Sequence, residues 1–363
     1  MTHPVWLASG GTGGHVFPAL SLADALETKG MDIRMLTDRR GSRLIENHRP
    51  YTALPAGSPF AGSVLRRLFA VAKLAIGGVV ILAMIARKRP ACVIGFGGYP
   101  SFMPMLAARL CGIPVLMHEQ NAIMGRSNRL LAGWAQLVMT SWHDTSGLPQ
   151  TANIRHTGLP VRAPFTALPD YQPHNSRHHI LVLGGSQGAY LFGELVLKAI
   201  TALPAAIRKQ ISITHQIRTE QIEKARAQYQ DAGMQAEIAS FFDDVPEKMA
   251  VADIIICRAG ASSVAEIASA GRPAIFIPLA GAMDDHQTAN ARALEADGGA
   301  IMINEADCTI ELLSDMLSGL LGAPEKRKKM ARQARAHSHS GAADKMVGAI
   351  FDAMAPAAQG GAS

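Results

Sequence analysis

Short apolar runs, each closed by a glycine-rich or polar turn and followed by a stretch with helical spacing, recur along the chain. Val5–Ala8 reads as a buried strand. Residues 17–29 ("FPALSLADALETK") set apolar side chains at helical intervals, with Pro18 in the first turn and Gly30 as a stop. Ile33–Thr37 is the next strand. Residues 91–95 ("ACVIG") form another, leading into "FGGYPS" and a helix near 103–111 that ends at Gly112. Residues 115–117 are a further strand, after which the loop "HEQNAIMGRSN" enters a helix through Leu130, Leu131 and Trp134. Strands alternating with helices imply a parallel sheet covered on both faces.

Around residue 160 the texture changes. Pro160, Pro164, Pro169 and Pro173 fall among polar residues, which reads as a connector. The pattern then restarts, with strands at 179–183, 211–215, 253–257 and 274–277 and helices over 191–203 and 285–297. The expected organisation is therefore two open α/β halves, residues 1–160 and 161–341. A C-terminal helix over 342–356 returns to the first half, and 357–363 is a disordered tail.

One stretch departs from the α/β rhythm. Residues 64–89 read "VLRRLFAVAKLAIGGVVILAMIARKR", with an uninterrupted apolar part only from 74 to 86. That part is short of the ~20 residues a spanning helix needs, and a strand of soluble type follows at once. The plain reading is a buried core helix. The reading favoured here is a helix lying in a lipid interface, with Arg66, Arg67, Arg87, Lys88 and Arg89 against anionic headgroups.

Composition narrows the picture. A chain of 363 residues that is 48% hydrophobic can bury two cores. Its net charge of +6 fits an anionic substrate or membrane surface, and no arginine- and aromatic-rich module argues for nucleic acid. Cys92, Cys111, Cys257 and Cys308 are scattered and read as small buried hydrophobes in a reducing compartment. The chain enters its first strand within a few residues, so no signal peptide is expected.

Candidate chemistry lies in three glycine-rich turns at strand ends: residues 10–14, 95–101 and 184–188. Glycine lets backbone N–H groups approach an anion, and the following helix offers its positive end. None carries the Gly-Lys-Ser/Thr ending of a P-loop. The first lacks the third glycine of a dinucleotide fingerprint, although Asp38 ends the next strand as a nicotinamide site would require. No Asp-x-Asp pair is present, and Asp243-Asp244 and Asp284-Asp285 read as capping turns. Charge on a leaving phosphate would then fall to helix ends and side chains.

The segments "GGTGGHVFPAL", "GFGGYPSFMP", "PVLMHEQNAIMGRSNRLLA", "TGLPVR", "LVLGGSQGA", "FFDDVPEKMAVADIIICRAGASSVAEIASAGRPAIFIPL" and "DDHQTANA" run in order from residue 10 to about residue 293. Together they resemble the signature segments of the MurG family, bacterial UDP-N-acetylglucosamine transferases that complete the peptidoglycan lipid precursor. The resemblance implies a GT-B fold, two Rossmann-like parallel-sheet domains facing across a cleft, the first for the acceptor and membrane, the second for the donor. It implies an inverting transferase with no metal and no cofactor, peripheral to the cytoplasmic face of the inner membrane. The implied partners are UDP-GlcNAc, undecaprenyl-linked lipid I, an anionic membrane surface and other cell-wall synthesis proteins, with no nucleic acid. Competing readings are a UDP-sugar epimerase or another GT-B transferase, a nicotinamide oxidoreductase, and a membrane-surface binding protein without catalysis.

Residue roles follow from the same resemblance. Glu266 matches a ribose-binding carboxylate; the alternative is a glutamate stabilising its helix start. Ala261, Ser262, Ser263 and Val264 match a segment whose backbone faces the donor. Ser186 matches a nucleotide contact, with an N-cap as the alternative. Phe242 matches a uracil-recognising position, and Gln287 a reader of sugar hydroxyls beside the less certain His286. Asn121 and Arg162 match donor positions, the alternatives being an Asx turn and an ordinary ion pair. Thr12, Gly13 and Gly14 are assigned to a diphosphate, and Gly97, Gly98 and Tyr99 to the acceptor side. His118 and Glu119 read either as a base with its orienting carboxylate or as a hydrogen-bonded pair that orders the loop, the latter slightly favoured. His15 is the candidate general base, since inversion needs one base and histidine titrates near neutrality; the alternative is a histidine that only hydrogen-bonds the loop or the donor. Two positions depart from the family pattern: Gly281, near which relatives often carry histidine, and Tyr190, where arginine is frequent.

Overall fold

The computed structural model describes residues 3–45, 49–57, 63–174, 177–185 and 190–355. The chain divides into two compact units, residues 1–161 with 340–363, and residues 162–339.

In the first unit the elements run β1 (Val5–Ala8), α1 (Gly13–Glu27), β2 (Ile33–Thr37), α2 (Arg39–Ile45), β3 (Tyr51–Ala53), α3 (Val64–Arg87), β4 (Cys92–Gly95), α4 (Tyr99–Leu110), β5 (Val115–Glu119), α5 (Arg126–Leu131), β6 (Leu137–Thr140) and β7 (Ile154–His156). The strands form one parallel sheet in the order β3-β2-β1-β4-β5-β6-β7. Side chains alternate between its faces. Val5 and Leu7 join Val16, Leu20 and Leu26 of α1 in one core. Trp6 and Ala8 join Met105, Ile81 and Ile85 in the other.

In the second unit α6 (Ala163–Thr166), β8 (His178–Leu183), α7 (Leu197–Thr201), α8 (Ala205–Arg208), β9 (Ile211–Gln216), α9 (Ile222–Asp231), β10 (Gln235–Ala239), α10 (Val245–Val251), β11 (Ile254–Cys257), α11 (Ala261–Ala270), β12 (Ala274–Phe276), α12 (His286–Glu295), β13 (Ile301–Met302), α13 (Ile310–Leu321) and α14 (Pro324–Ala336) follow. Its parallel sheet runs β10-β9-β8-β11-β12-β13. The last helix, α15 (Ala342–Met354), belongs to the first unit, where Met346, Val347 and Ile350 enter the core beside α1. Arg155 pairs with Asp352 at 2.6 Å to hold it there.

In each sheet the strand order reverses between two neighbours, β1 and β4 in the first and β8 and β11 in the second. Ligands of open α/β sheets bind outside the strand ends at such a point. The glycine-rich turns therefore stand where the topology opens.

Several elements differ from the sequence reading. Helix α1 starts at Gly13, four residues before the expected start, because the glycine turn is already helical: His15 and Val16 both donate to the Thr12 carbonyl, at 3.1 and 3.2 Å. Pro18 consequently lies inside the helix, beyond its first turn. Strand β5 continues through His118 and Glu119, which pair with Met139 and Thr140 of β6, so these residues are not in a loop. The helix after β8 carries a π-turn at Phe192–Val196. Cys92, Cys257 and Cys308 are buried, but Cys111 is only half-buried. The tail 357–363 lies outside the described residues.

Helix α3 corrects the plain reading of 64–89 as a core helix. It is continuous over 24 residues, ~36 Å, and by length and composition it is apolar enough to cross a membrane. Its inner face is narrow: Ala70, Gly77, Gly78, Ile81 and Ile85 are buried. A Cβ on Gly78 would stand 2.5 Å from Met103 of α4, and one on Gly77 2.9 Å from the Pro55 carbonyl, so the two glycines let α3 lie close against α4 and the segment after β3. The opposite face leaves Val64, Leu65, Leu68, Phe69 and Val79 more than 60% exposed.

Candidate active site

In the first unit two glycine turns meet at the strand-order reversal. Gly97 and Gly98 have φ of +89° and +73°, and Gly11 has +85°, a region that disfavours side chains. A Cβ on Gly10 would lie 2.6 Å from Pro100, and one on Gly98 3.0 Å from the Gly10 carbonyl. The turns are thus close-packed, and glycine is required at both contacts. His15, third residue of α1, lies beside them: a Cβ on Gly97 would stand 3.3 Å from its ring. Tyr99 is the first residue of α4.

Asp38 has a role the sequence did not reveal. Its Oδ1 accepts from the N–H groups of Gly11 at 3.1 Å and Gly41 at 2.8 Å, and Arg40 pairs with Oδ2 at 3.5 Å. A carboxylate committed to ordering the glycine turn is not the ribose ligand of a nicotinamide site.

Behind His15 lies a buried polar cluster at the end of β5. His15 Nδ1 is 3.1 Å from Gln120 Oε1, and Gln120 Nε2 is 3.1 Å from His118 Nδ1. His118 Nε2 is 2.9 Å from the Gly158 carbonyl. Glu119 accepts from the Asn121 N–H at 3.0 Å, the Asn121 amide at 3.1 Å, the Gly125 N–H at 3.0 Å and the Asn128 amide at 2.8 Å. His118 and Glu119 therefore do not pair as base and orienting carboxylate. Glu119 orders the loop to α5, including Asn121, while His118 bonds the main chain. Gln120 and Asn128 were missed by sequence reading; the signal was a run of polar residues continuing a strand that buries them.

Burial pushes the His118 imidazole down to about 4; the bond to Gly158 opposes this, and the charges of His15 and His156 add to it. His215, in the second unit, is pushed down to about 3, again by burial. Both rings are neutral when folded and titrate near 6.5 when unfolded. The unfolded chain binds more protons below pH 6.5, so stability is full above that pH and falls as pH drops toward 4. Each ring accounts for a loss on the order of 2 kcal/mol by pH 5. The urea midpoint of each unit should fall between pH 7.5 and pH 5; a midpoint constant over that range would contradict the assignment.

In the second unit β11 feeds α11, whose N-cap is Gly260 and whose first turn is Ala261, Ser262, Ser263 and Val264. The Val264 N–H donates to the Gly260 carbonyl at 3.0 Å, whereas the first N–H groups of a helix, those of residues 261–263 here, have no carbonyl partner within it and face what lies beyond its start. Glu266 sits one turn further in, past the helix start, so the cap-stabilising alternative loses its geometry. Its Oε1 is 3.2 Å from Arg162 Nη2, and Arg162 also lies over the Phe165 ring at 4.8 Å. Burial raises the Glu266 carboxyl, and Arg162 pulls it back. Two residues named separately from the sequence are thus partners. Gln287, second in α12, accepts from the Leu279 N–H at 3.0 Å and braces the loop through Gly281, which has φ +71° and open space around it. His286 opens that helix; Asp285 and Asp244 stand at the N-cap positions of α12 and α10 but neither side chain bonds a helix N–H, Asp285 instead accepting from the Thr288 hydroxyl at 2.6 Å. Phe242 is buried beneath Lys248, whose ammonium is 4.7 Å from the ring centre. Tyr190 is 56% exposed. Ser186 lies outside the described residues.

The glycosyltransferase family 28 N-terminal domain matches residues 5–140, and its C-terminal domain matches residues 179–346. A relative from Rhodospirillum centenum, a UDP-N-acetylglucosamine--N-acetylmuramyl-(pentapeptide) pyrophosphoryl-undecaprenol N-acetylglucosamine transferase, is 42% identical over 96% of this chain and 94% of its own. The crystal structure of Acinetobacter baumannii MurG superposes with a TM-score of 0.76 at 32% identity, covering 97% of this chain and 100% of that one. A UDP-N-acetylglucosamine 2-epimerase superposes with a TM-score of 0.72 over 100% of this chain and 98% of its own. At 12% identity it shares the fold alone.

Proposed function

Since the chain belongs to the MurG family of GT-B transferases, within glycosyltransferase family 28, we propose that it moves GlcNAc from UDP-GlcNAc to the 4-hydroxyl of the muramyl-pentapeptide carried on undecaprenyl pyrophosphate. The observation that carries this reading is the 42% identity to a transferase of that name across 96% of the chain. An epimerase shares only the fold, and the commitment of Asp38 to Gly11 removes the main support for a nicotinamide enzyme.

The residues suit a single in-line displacement. The acceptor oxygen attacks the anomeric carbon, the bond from that carbon to the phosphate oxygen breaks, and UDP departs with the bonding electrons. The acceptor proton passes to His15. In the second unit Glu266 takes the ribose hydroxyls, the first turn of α11 and Arg162 face the diphosphate, Phe242 lies at the uracil, and Gln287 meets the sugar. Ser186, Thr12, Gly13, Gly14 and Asn121 complete the donor contacts, and Gly97, Gly98 and Tyr99 line the acceptor side. Transfer of labelled GlcNAc to a lipid-linked muramyl-pentapeptide tests the reading. Absence of both transfer and UDP release would sink it.

We further propose that α3 rests on the cytoplasmic membrane surface, which makes the enzyme peripheral and holds it near a lipid-borne acceptor. The support is an exposed apolar face flanked by exposed Arg66, Arg67, Lys73 and Arg87. Each large side chain buried in lipid contributes ~2 kcal/mol, and each basic residue at an anionic surface about 1 kcal/mol. Leu65, Leu68 and Phe69 stand clear of the core. Changing all three to serine should therefore weaken sedimentation with anionic vesicles by at least ~10-fold and leave thermal unfolding unchanged. Undiminished vesicle binding would remove α3 as the contact.

A further inference from the structure

The polar cluster behind His15 has a direction, and that direction determines which ring nitrogen of His15 carries a proton. The cluster runs from a carbonyl oxygen, which only accepts, to the His15 ring. At one end the Gly158 carbonyl is 2.9 Å from His118 Nε2, so that nitrogen must be the donor. The carbonyl is itself set by the sheet, through the Gly158 N–H donating to Thr140 at 3.1 Å. His118 is neutral, since burial pushes it down to about 4. A neutral imidazole with its proton on Nε2 has a lone pair on Nδ1.

Gln120 must therefore present its NH2 to His118 Nδ1, at 3.1 Å. A second contact requires the same orientation: Gln120 Nε2 is also 3.1 Å from the His118 carbonyl, where an amide oxygen would meet another oxygen. Gln120 and His118 are 1% and 0% exposed, so water does not compete for these bonds. With its NH2 fixed inward, Gln120 turns Oε1 to His15 Nδ1 at 3.1 Å. Oε1 accepts only, so His15 must hold its proton on Nδ1.

We infer that Gln120 is a positioning residue which, through His118 and the Gly158 carbonyl, holds His15 with its proton on Nδ1 and its lone pair on Nε2. Free histidine favours the other neutral form, with the proton on Nε2, so a device is needed to reverse the preference. The same bond serves the reaction: when Nε2 takes the acceptor proton, the charged ring donates a stronger bond from Nδ1 to Gln120 Oε1. An amide suffices for this and leaves no second buried charge beside the ring. The inference rests on the reading of His15 as general base for its consequence in turnover, but not for the tautomer itself.

Long-range proton–nitrogen NMR of the full-length protein at pH 8 reads the tautomer without reference to activity. The expected wild-type result is His15 protonated on Nδ1; protonation on Nε2 would overturn the inference with no variant required. In Gln120→Leu the His15 proton should move to Nε2, and kcat should fall ~10–100-fold with the UDP-GlcNAc KM held. An unchanged tautomer in a folded Gln120→Leu protein would also overturn it. Loss of the tautomer with full turnover, in a protein that His15→Ala inactivates, would strip Gln120 of its positioning role. If His15→Ala is itself fully active, the base reading fails instead, and the NMR result still decides the tautomer.

Discussion

Replacing His15 by alanine is expected to lower the turnover of GlcNAc transfer by about 10²–10⁴-fold, the range that positioned proton transfer contributes, while UDP-GlcNAc affinity stays unchanged. The split between the two parameters is the informative part. His15 belongs to the first unit, at the start of α1, whereas the ribose, diphosphate and uracil roles are assigned mainly to α11, Arg162 and Phe242 of the second. A histidine that merely bonded the donor phosphate would raise the donor KM when removed. Under any of these roles Gln120 Oε1 loses its donor at a cost of ~1–3 kcal/mol, so a histidine that merely ordered the glycine turn would lower stability and leave the turnover of the folded enzyme unchanged. Initial rates over a range of both substrates, with a urea melt of the same preparation, separate the three. Turnover equal to wild type would remove His15 as base.

The general architecture was legible from the sequence because its signals are local. Val5–Ala8 and Ile33–Thr37 are strands where the apolar runs place them, and the glycine turns stand at strand ends as read. What the sequence hid depends on partners far along the chain. Nothing near Gln120 announces that its amide meets His15, 105 positions away. Likewise Asp38 closes a bond to Gly11 that only the pairing of β1 with β2 makes possible. Local rules also misled in places. Pro18 suggested a helix start, but a helix capped by Thr12 had begun five residues earlier at Gly13 and carries the proline within it. His118 and Glu119 looked like loop residues because they are polar, yet pairing with β6 draws them into β5. Arg162 and Glu266 read from the sequence as residues with separate roles. The fold adds that they are 3.2 Å apart, which changes what either substitution does.

That pairing makes Glu266→Gln the second variant with a large expected effect. In wild type the carboxylate offers two acceptor oxygens, with Arg162 Nη2 3.2 Å from Oε1. Vicinal ribose hydroxyls both donate, and bonds to a charged acceptor contribute about 1.5–3 kcal/mol. Glutamine keeps the shape but offers one acceptor, and its NH2 opposes the second hydroxyl. UDP affinity should fall about 10–100-fold, with a smaller loss in turnover at saturating donor. The fold should survive, since burial already raises this carboxyl and the substitution removes a charge that burial disfavours. Titration with UDP and with a 2′,3′-dideoxy analogue closes the cycle. Wild type should lose most of its affinity for the dideoxy compound, and Glu266→Gln should scarcely distinguish the two ligands. If both proteins discriminate equally, the ribose hydroxyls bind elsewhere, and Glu266 acts only as the partner of Arg162. In that case Arg162→Met should reproduce the phenotype of Glu266→Gln. Under the ribose assignment the two differ: Arg162→Met weakens UDP through its diphosphate, and the preference for an intact ribose is retained.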